Sequence, residues 1–238
     1  MTITTTITTT KRHGLLMAAA ALACAFHPAH AQTNGALYDP QPPADSAYVR
    51  VIVVSADGPV DVQLDGKPRL HGLAGAAPSD YMVVKAGAHK LSLQLAGKPT
   101  AVDVNLEVVA GRSMTIALPA LRADSKPQFF EDKANANKLK AVLTFYHLAP
   151  KAGPVDMLTA DGSTKVFSAV APGALASLSV NPIAVELQAT RPGDKAGLAK
   201  ASLTMAQGQT YSLLLLPGDG DKLVLKAGIN TLERYTGK

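Results

Sequence analysis

Polar and apolar positions alternate most cleanly in two stretches of the chain. Leu91, Leu93 and Leu95 fall on one side of an extended segment and Lys90, Ser92 and Gln94 on the other. Val102, Val104, Leu106 and Val108 likewise oppose Asp103, Asn105 and Glu107. A period of two describes strands with one dry and one wet face. Residues 48–54 break that rule, with Val49, Val51 and Val53 on one side and Ile52 and Val54 on the other, so a strand buried on both faces is expected there. Arg50 is the one charge in it. Residues 60–64 and 69–73 flank Asp65-Gly66, a hairpin signal, and residues 114–118 follow a turn at Gly111. Seven short strands with Gly, Pro and Asp between them predict a small antiparallel sandwich.

The pattern then repeats. Gly58-Pro-Val-Asp61 recurs as Gly153-Pro-Val-Asp156, 95 residues later, and the Asp65-Gly66 turn as Asp161-Gly162, 96 later. The stretch from Ala110 to Leu118 is echoed from Gln207 to Leu215, 97 later. A nearly constant offset of this size is a duplicated domain; solenoid repeats are shorter. The expected fold is therefore all-β, with two tandem Ig-like antiparallel β-sandwich domains joined by a linker. The divisions read as a leader over 1–31, a proline-rich extended arm over 32–46, a first sandwich over 47–118, a linker over 119–139 and a second sandwich over 140–238. Gly218-Asp-Gly-Asp221 predicts a further hairpin turn and an eighth strand in the second copy. The linker, with Pro119, Pro127, Asn135 and Asn137 among charges, predicts hinge motion, with a helical turn at most over 133–140. Phe129 and Phe130 there either plug the groove between the domains or expose a sticky site for a partner.

Charge and cysteine content change the picture little. Lys11-Arg-His13, the short apolar run to Phe26 and Ala29-His-Ala31 have the form of a cleaved signal peptide, so the periplasm is the expected compartment. The one cysteine, Cys24, lies inside that leader, and Ala21-Leu-Ala before it matches a lipoprotein site poorly. The expected mature chain thus has no disulfide and no thiol nucleophile. The formal charge of +5 falls to +3 without Lys11 and Arg12, and no basic run or basic–aromatic interleaving points to nucleic acid.

Candidate chemistry is sparse. There is no Gly-x-Ser-x-Gly elbow, no His-Glu-x-x-His and no Asp-x-His element. His71, His89 and His147 suggest surface or rim positions and no metal site, and Glu107, Glu131, Glu186 and Glu233 offer no acid–base pair by spacing. No catalytic residue, metal or cofactor is expected. Asp219 and Asp221 fit a turn better than a calcium loop. With no Trp and 5% aromatics, the chain has little with which to stack sugar rings, so any polysaccharide contact should be weak.

The order of Ala36-Leu-Tyr-Asp-Pro, Ser46-Ala-Tyr-Val-Arg-Val51, Pro78-Ser-Asp-Tyr81, Val170-Ala-Pro-Gly173 and Val180-Asn-Pro-Ile-Ala-Val-Glu-Leu187 resembles the periplasmic F-type accessory proteins of bacterial alginate O-acetylation, including relatives from acetylated-cellulose systems. The resemblance spans essentially the whole chain after the leader. It implies a two-sandwich adaptor without acetyl-transfer chemistry of its own, working with a membrane-bound O-acyltransferase and periplasmic SGNH-like O-acetyltransferases. It also implies partner contacts at Leu37, Tyr38, Ser46 and Arg50, then Ser79, Asp80 and Tyr81. The linker and C-terminal tail depart from the family pattern. Two other functions stay open: an acetyl-carrying enzyme using Ser79, and a two-Ig-domain periplasmic chaperone. Whichever holds, Arg50 within an apolar strand must lie at an edge or be paired.

Overall fold

The computed structural model describes residues 42–99 and 101–235, all strands, turns and loops, with no helix among them. They belong to one compact unit. The first sandwich contains β1 (Ser46–Ser55), β2 (Val60–Leu64), β3 (Lys67–Leu73), β4 (Met82–Lys85), β5 (Gly87–Leu95), β6 (Ala101–Val108), β7 (Ser113–Ala120) and β8 (Gln128–Glu131). The second contains β9 (Ala141–His147), β10 (Val155–Thr159), β11 (Lys165–Val170), β12 (Leu175–Val180), β13 (Ile183–Thr190), β14 (Gly197–Met205), β15 (Thr210–Pro217) and β16 (Leu223–Ile229).

The topologies are copies. Sheets β4-β1-β7-β8 and β3-β2-β5-β6 in the first sandwich correspond strand for strand to β12-β9-β15-β16 and β11-β10-β13-β14 in the second. All pairings are antiparallel except β1 with β7 and β9 with β15, so the expected purely antiparallel sandwich carries one parallel pair per copy. Two elements differ from expectation. The linker contributes β8, so the first sandwich has eight strands and extends to Glu131, and residues 133–140 form no helix. Four residues are too few to show a period, but Phe129 and Phe130 favour extended structure, Met114 to Ala117 of β7 offer an open edge, and Phe130 finds a buried place.

The repeated Gly-Pro-Val-Asp tetrad has a structural role in both copies. In β3 and β11 the pairing to the preceding strand slips by one residue, a bulge, and there Gly72 and Ala169 take positive φ (69° and 45°). A bulge leaves an N–H without a ladder partner. Asp61 Oδ1 accepts from Gly72 N at 3.0 Å, and Asp156 Oδ1 accepts from Ala169 N at 2.7 Å. Asp156 is buried and also takes Gly193 N and an ion pair from Lys165 Nζ at 2.6 Å; these contacts outweigh its burial and hold its pKa below the ordinary carboxylate range.

Strands β5 and β6 bury alternate residues, as their patterns predict, and each sandwich closes over its own apolar core. Strands β1, β7, β9 and β15 are buried on both faces for most of their length, because the outer face of β4-β1-β7-β8 packs on that of β12-β9-β15-β16. Ile52, Ala117, Phe130, Tyr146, Leu148, Leu214 and Leu216 form that third apolar layer. The hinge expected between the domains is thus replaced by a packed contact.

Asp156→Ala should lower stability by about 2–3 kcal/mol, since it strips a buried carboxylate from two backbone donors and a lysine. Asp61→Ala, on a more exposed side chain, should cost about 1 kcal/mol or less. Urea unfolding of the two variants checks the ranking, and equal costs would contradict it.

Candidate functional site

The sequence singles out Arg50, and the structure builds its densest polar cluster around it. Arg50 lies on β1, between β4 and β7, with 0% exposure. Val49 and Val51 face the first core, which turns Arg50 to the other face, toward the second sandwich. Its Nε donates to Thr115 Oγ1 on β7 at 2.8 Å, and Nη1 donates to Asn230 Oδ1 at 2.7 Å. Nη2 donates to Tyr146 OH on β9 at 2.8 Å and to Ser212 Oγ on β15 at 2.7 Å. The guanidinium also lies over the Tyr81 ring, 4.4 Å from its centroid.

Each hydroxyl that accepts from Arg50 donates onward. Thr115 Oγ1 donates to Asp132 Oδ2 at 2.6 Å and Tyr146 OH to Asp132 Oδ1 at 2.5 Å, while Ser212 Oγ donates to Asn230 Oδ1 at 2.7 Å. Tyr81 OH adds a further donor to Asp132 Oδ2 at 2.8 Å. The cation and the carboxylate are therefore joined through hydroxyls instead of a direct ion pair. Burial pushes the Tyr146 phenol up to about 12, and pushes Tyr81 up further, with Arg50 pulling each part of the way back. Both phenols stay protonated and can donate.

The C-terminal segment returns to the same place. Tyr81 N donates to Thr231 O at 2.9 Å and Glu233 N to Tyr81 O at 2.8 Å, a short parallel bridge beside β4. Glu233 accepts from Val83 N at 2.6 Å and forms an ion pair with Arg69 at 2.7 Å; Thr231 donates to Asp80.

The residues expected to meet a partner divide accordingly. Leu37 and Tyr38 lie outside the described residues. Arg50 and Tyr81 are buried in the cluster, so the guanidinium serves the contact between the sandwiches and offers nothing outward. Of the two positions foreseen for it, it takes the paired one, on an interior strand. Ser79 is buried too, its Oγ accepting from Val51 N at 3.0 Å and donating to Asp80 O at 2.8 Å. Ser46 is half-buried and Asp80 exposed. The two phenylalanines split the alternatives: Phe130, 5% exposed, packs edge-on against Tyr146 with centroids 5.4 Å apart, and Phe129 stays 48% exposed.

Asp132, Tyr146, Ser212 and Asn230 carry the cluster and were not singled out from the sequence. No local motif marks them; they meet only because the two outer sheet faces meet. His147, expected at the surface or rim, is buried on β9, with Nε2 set against Gly153 O at 2.8 Å and Ala149 N donating to Nδ1 at 3.4 Å. Burial lowers its pKa, and those contacts suit the neutral ring. Asp65 and His89 pair at 2.7 Å, but the other ring nitrogen is taken by Lys85 O at 2.8 Å, where a nucleophile would have to stand. Among the described residues no group of three His, Cys, Asp or Glu side chains could hold a metal ion.

Known proteins resemble this chain along most of its length. The family model described as Alginate O-acetyl transferase AlgF matches residues 19–212. The alginate biosynthesis protein AlgF of Pseudomonas aeruginosa is 28% identical over 215 residues, covering 90% of this chain and 93% of that protein. The AlgF of Pseudomonas putida is 27% identical over 210 residues, covering 87% and 90%. A solved C-terminal domain of AlgF from P. aeruginosa aligns with 39% of this chain and all of that domain, at 28% identity and a TM-score of 0.32.

Arg50→Ala should cost about 3–5 kcal/mol, because Asp132 loses its counter-charge inside the contact, whereas Tyr146→Phe should cost about 1–2 kcal/mol. Chemical denaturation measures both. Stability should also fall as pH drops below about 6.5, the unfolded value for histidine, because the unfolded chain takes up a proton that buried His147 resists. Above that pH the full contribution is present. His147→Asn should flatten the slope between pH 7 and 5.

Proposed function

Because the chain belongs to the AlgF family of alginate O-acetylation proteins, we propose that it is a non-catalytic periplasmic adaptor in the O-acetylation of an exopolysaccharide of the alginate or cellulose type. It would link a membrane-bound O-acyltransferase to periplasmic SGNH-like acetyltransferases. The observation that carries this reading is the use to which the buried polar groups are put. Arg50, Thr115, Tyr146, Ser212 and Asp132 are satisfied by one another across the contact between the sandwiches. Ser79, the residue that an acetyl-carrying role would use, is bonded to backbone on both sides, and an attacking hydroxyl needs a general base in reach. Such a molecule is well made to present surfaces in a fixed relation and poorly made to break an ester.

In a strain lacking the chain, acetyl content of the exported polysaccharide should drop at least tenfold, and the tagged protein should co-purify with an acetyltransferase. Unchanged acetylation would count against any role in the pathway. A covalent acetyl adduct on Ser79 after incubation with an acetyl ester, read by mass spectrometry, would replace the adaptor with an acetyl carrier.

A further inference from the structure

The two sandwiches are copies, so a place filled in one and open in the other shows what the open place is shaped to hold. The turn before β7 and the turn before β15 superpose bond for bond. Gly111 N donates to Ser46 O as Gly208 N donates to Lys140 O, and Arg112 N donates to Val109 O as Gln209 N donates to Ala206 O. Tyr48 N meets Arg112 O as Val142 N meets Gln209 O. Met114 is therefore the counterpart of Tyr211, and Val109 of Ala206.

In the second sandwich Tyr211 is buried and its hydroxyl accepts from Ala206 N at 2.8 Å, so the ring fills the space beneath the turn and its oxygen caps the free N–H. In the first, the shorter Met114 leaves an open groove of about 420 Å³ lined by Val109, Arg112, Ser113, Met114, Phe129 and Glu131. Register places Phe129 opposite Ile116 and Ala227 opposite Leu213, so Phe129 stands where the second copy has alanine. It walls the groove without filling it: Phe129 is 48% and Val109 53% exposed. Val109 N has no acceptor among the described residues. Arg112 and Glu131, paired on the rim, give the mouth one charge of each sign for the flanks of an incoming segment.

We propose that this groove is a docking site for a tyrosine side chain carried on an extended segment of a partner protein. The ring packs against Met114, Phe129 and Val109, and the phenol oxygen accepts from Val109 N as Tyr211 does from Ala206 N. An aromatic anchor seated in a pocket with a polar rim is the usual form of an energetically dominant contact. The site is separate from the Arg50 cluster and stands whether or not the chain acts in polysaccharide acetylation.

The test titrates the full chain, labelled for NMR at every backbone amide and at its methionine methyl groups, with the peptide acetyl-Val-Tyr-Val-amide. Saturable shifts confined to Met114, Val109 and Phe129 are expected. Binding of the Phe counterpart should be about fivefold weaker, the effect of one neutral hydrogen bond. Met114→Tyr, which copies the second sandwich, should abolish binding. No saturable shift, equal affinity for the two peptides, or undiminished binding to Met114→Tyr would each overturn the proposal; the peptide comparison decides even if that variant misfolds. Self-association lost in Met114→Tyr would assign the groove to a second copy of this chain and overturn the partner assignment.

Discussion

A guanidinium cannot lose its proton, so burying one is tolerable only where acceptors are ready on every side. Arg50 meets that condition through groups that no single domain owns: Thr115 from the first sandwich, Tyr146 and Ser212 from the second, and Asn230 at the start of the returning tail. Either sandwich alone would leave the charge short of partners. The apolar layer around it, Ile52 and Ala117 against Leu148, Leu214 and Leu216, supplies area, and the cluster supplies orientation. Apolar faces can slide over one another with little change in buried area. Four directed hydrogen bonds from one planar group cannot.

That constraint redirects the residues a family resemblance suggests as partner contacts. Arg50, Ser79 and Tyr81 lie beneath the surface and shape it from within, while Ser46, Asp80 and Phe129 remain accessible to different degrees. Duplication then works as a source of asymmetry. The same tetrad supports a bulge in both copies, yet Asp156 has gained a lysine and burial where Asp61 stays nearer the surface. The same turn is sealed by Tyr211 in one copy and left open beside Met114 in the other. One scaffold thus offers two different surfaces held at one angle.

Much of this was legible in the sequence, and the gaps have physical causes. Period-two patterning located β5 and β6, and the repeated tetrad and Asp-Gly turns revealed two copies of one fold. The doubly apolar run at 48–54 announced a strand covered on both sides, although what covered it could not be read. The strand at 128–131 was missed because four residues show no period, and its pairing depends on an edge supplied by β7. Asp132 lies in the stretch read as a linker, and nothing local marks Tyr146 or Ser212; contacts between sheet faces nearly a hundred residues apart leave no local period to detect. The failure at His147 has the same origin, since a strand covered on both faces has no wet side on which a histidine could sit.

The central claim is that the Arg50 cluster makes two sandwiches into one rigid body, and residual dipolar couplings test it most directly. Backbone N–H couplings from β1 to β8 and from β9 to β16, fitted separately, should return the same alignment tensor in magnitude and direction. Two tensors of different magnitude would mean that the sandwiches reorient independently and that the cluster does not hold them.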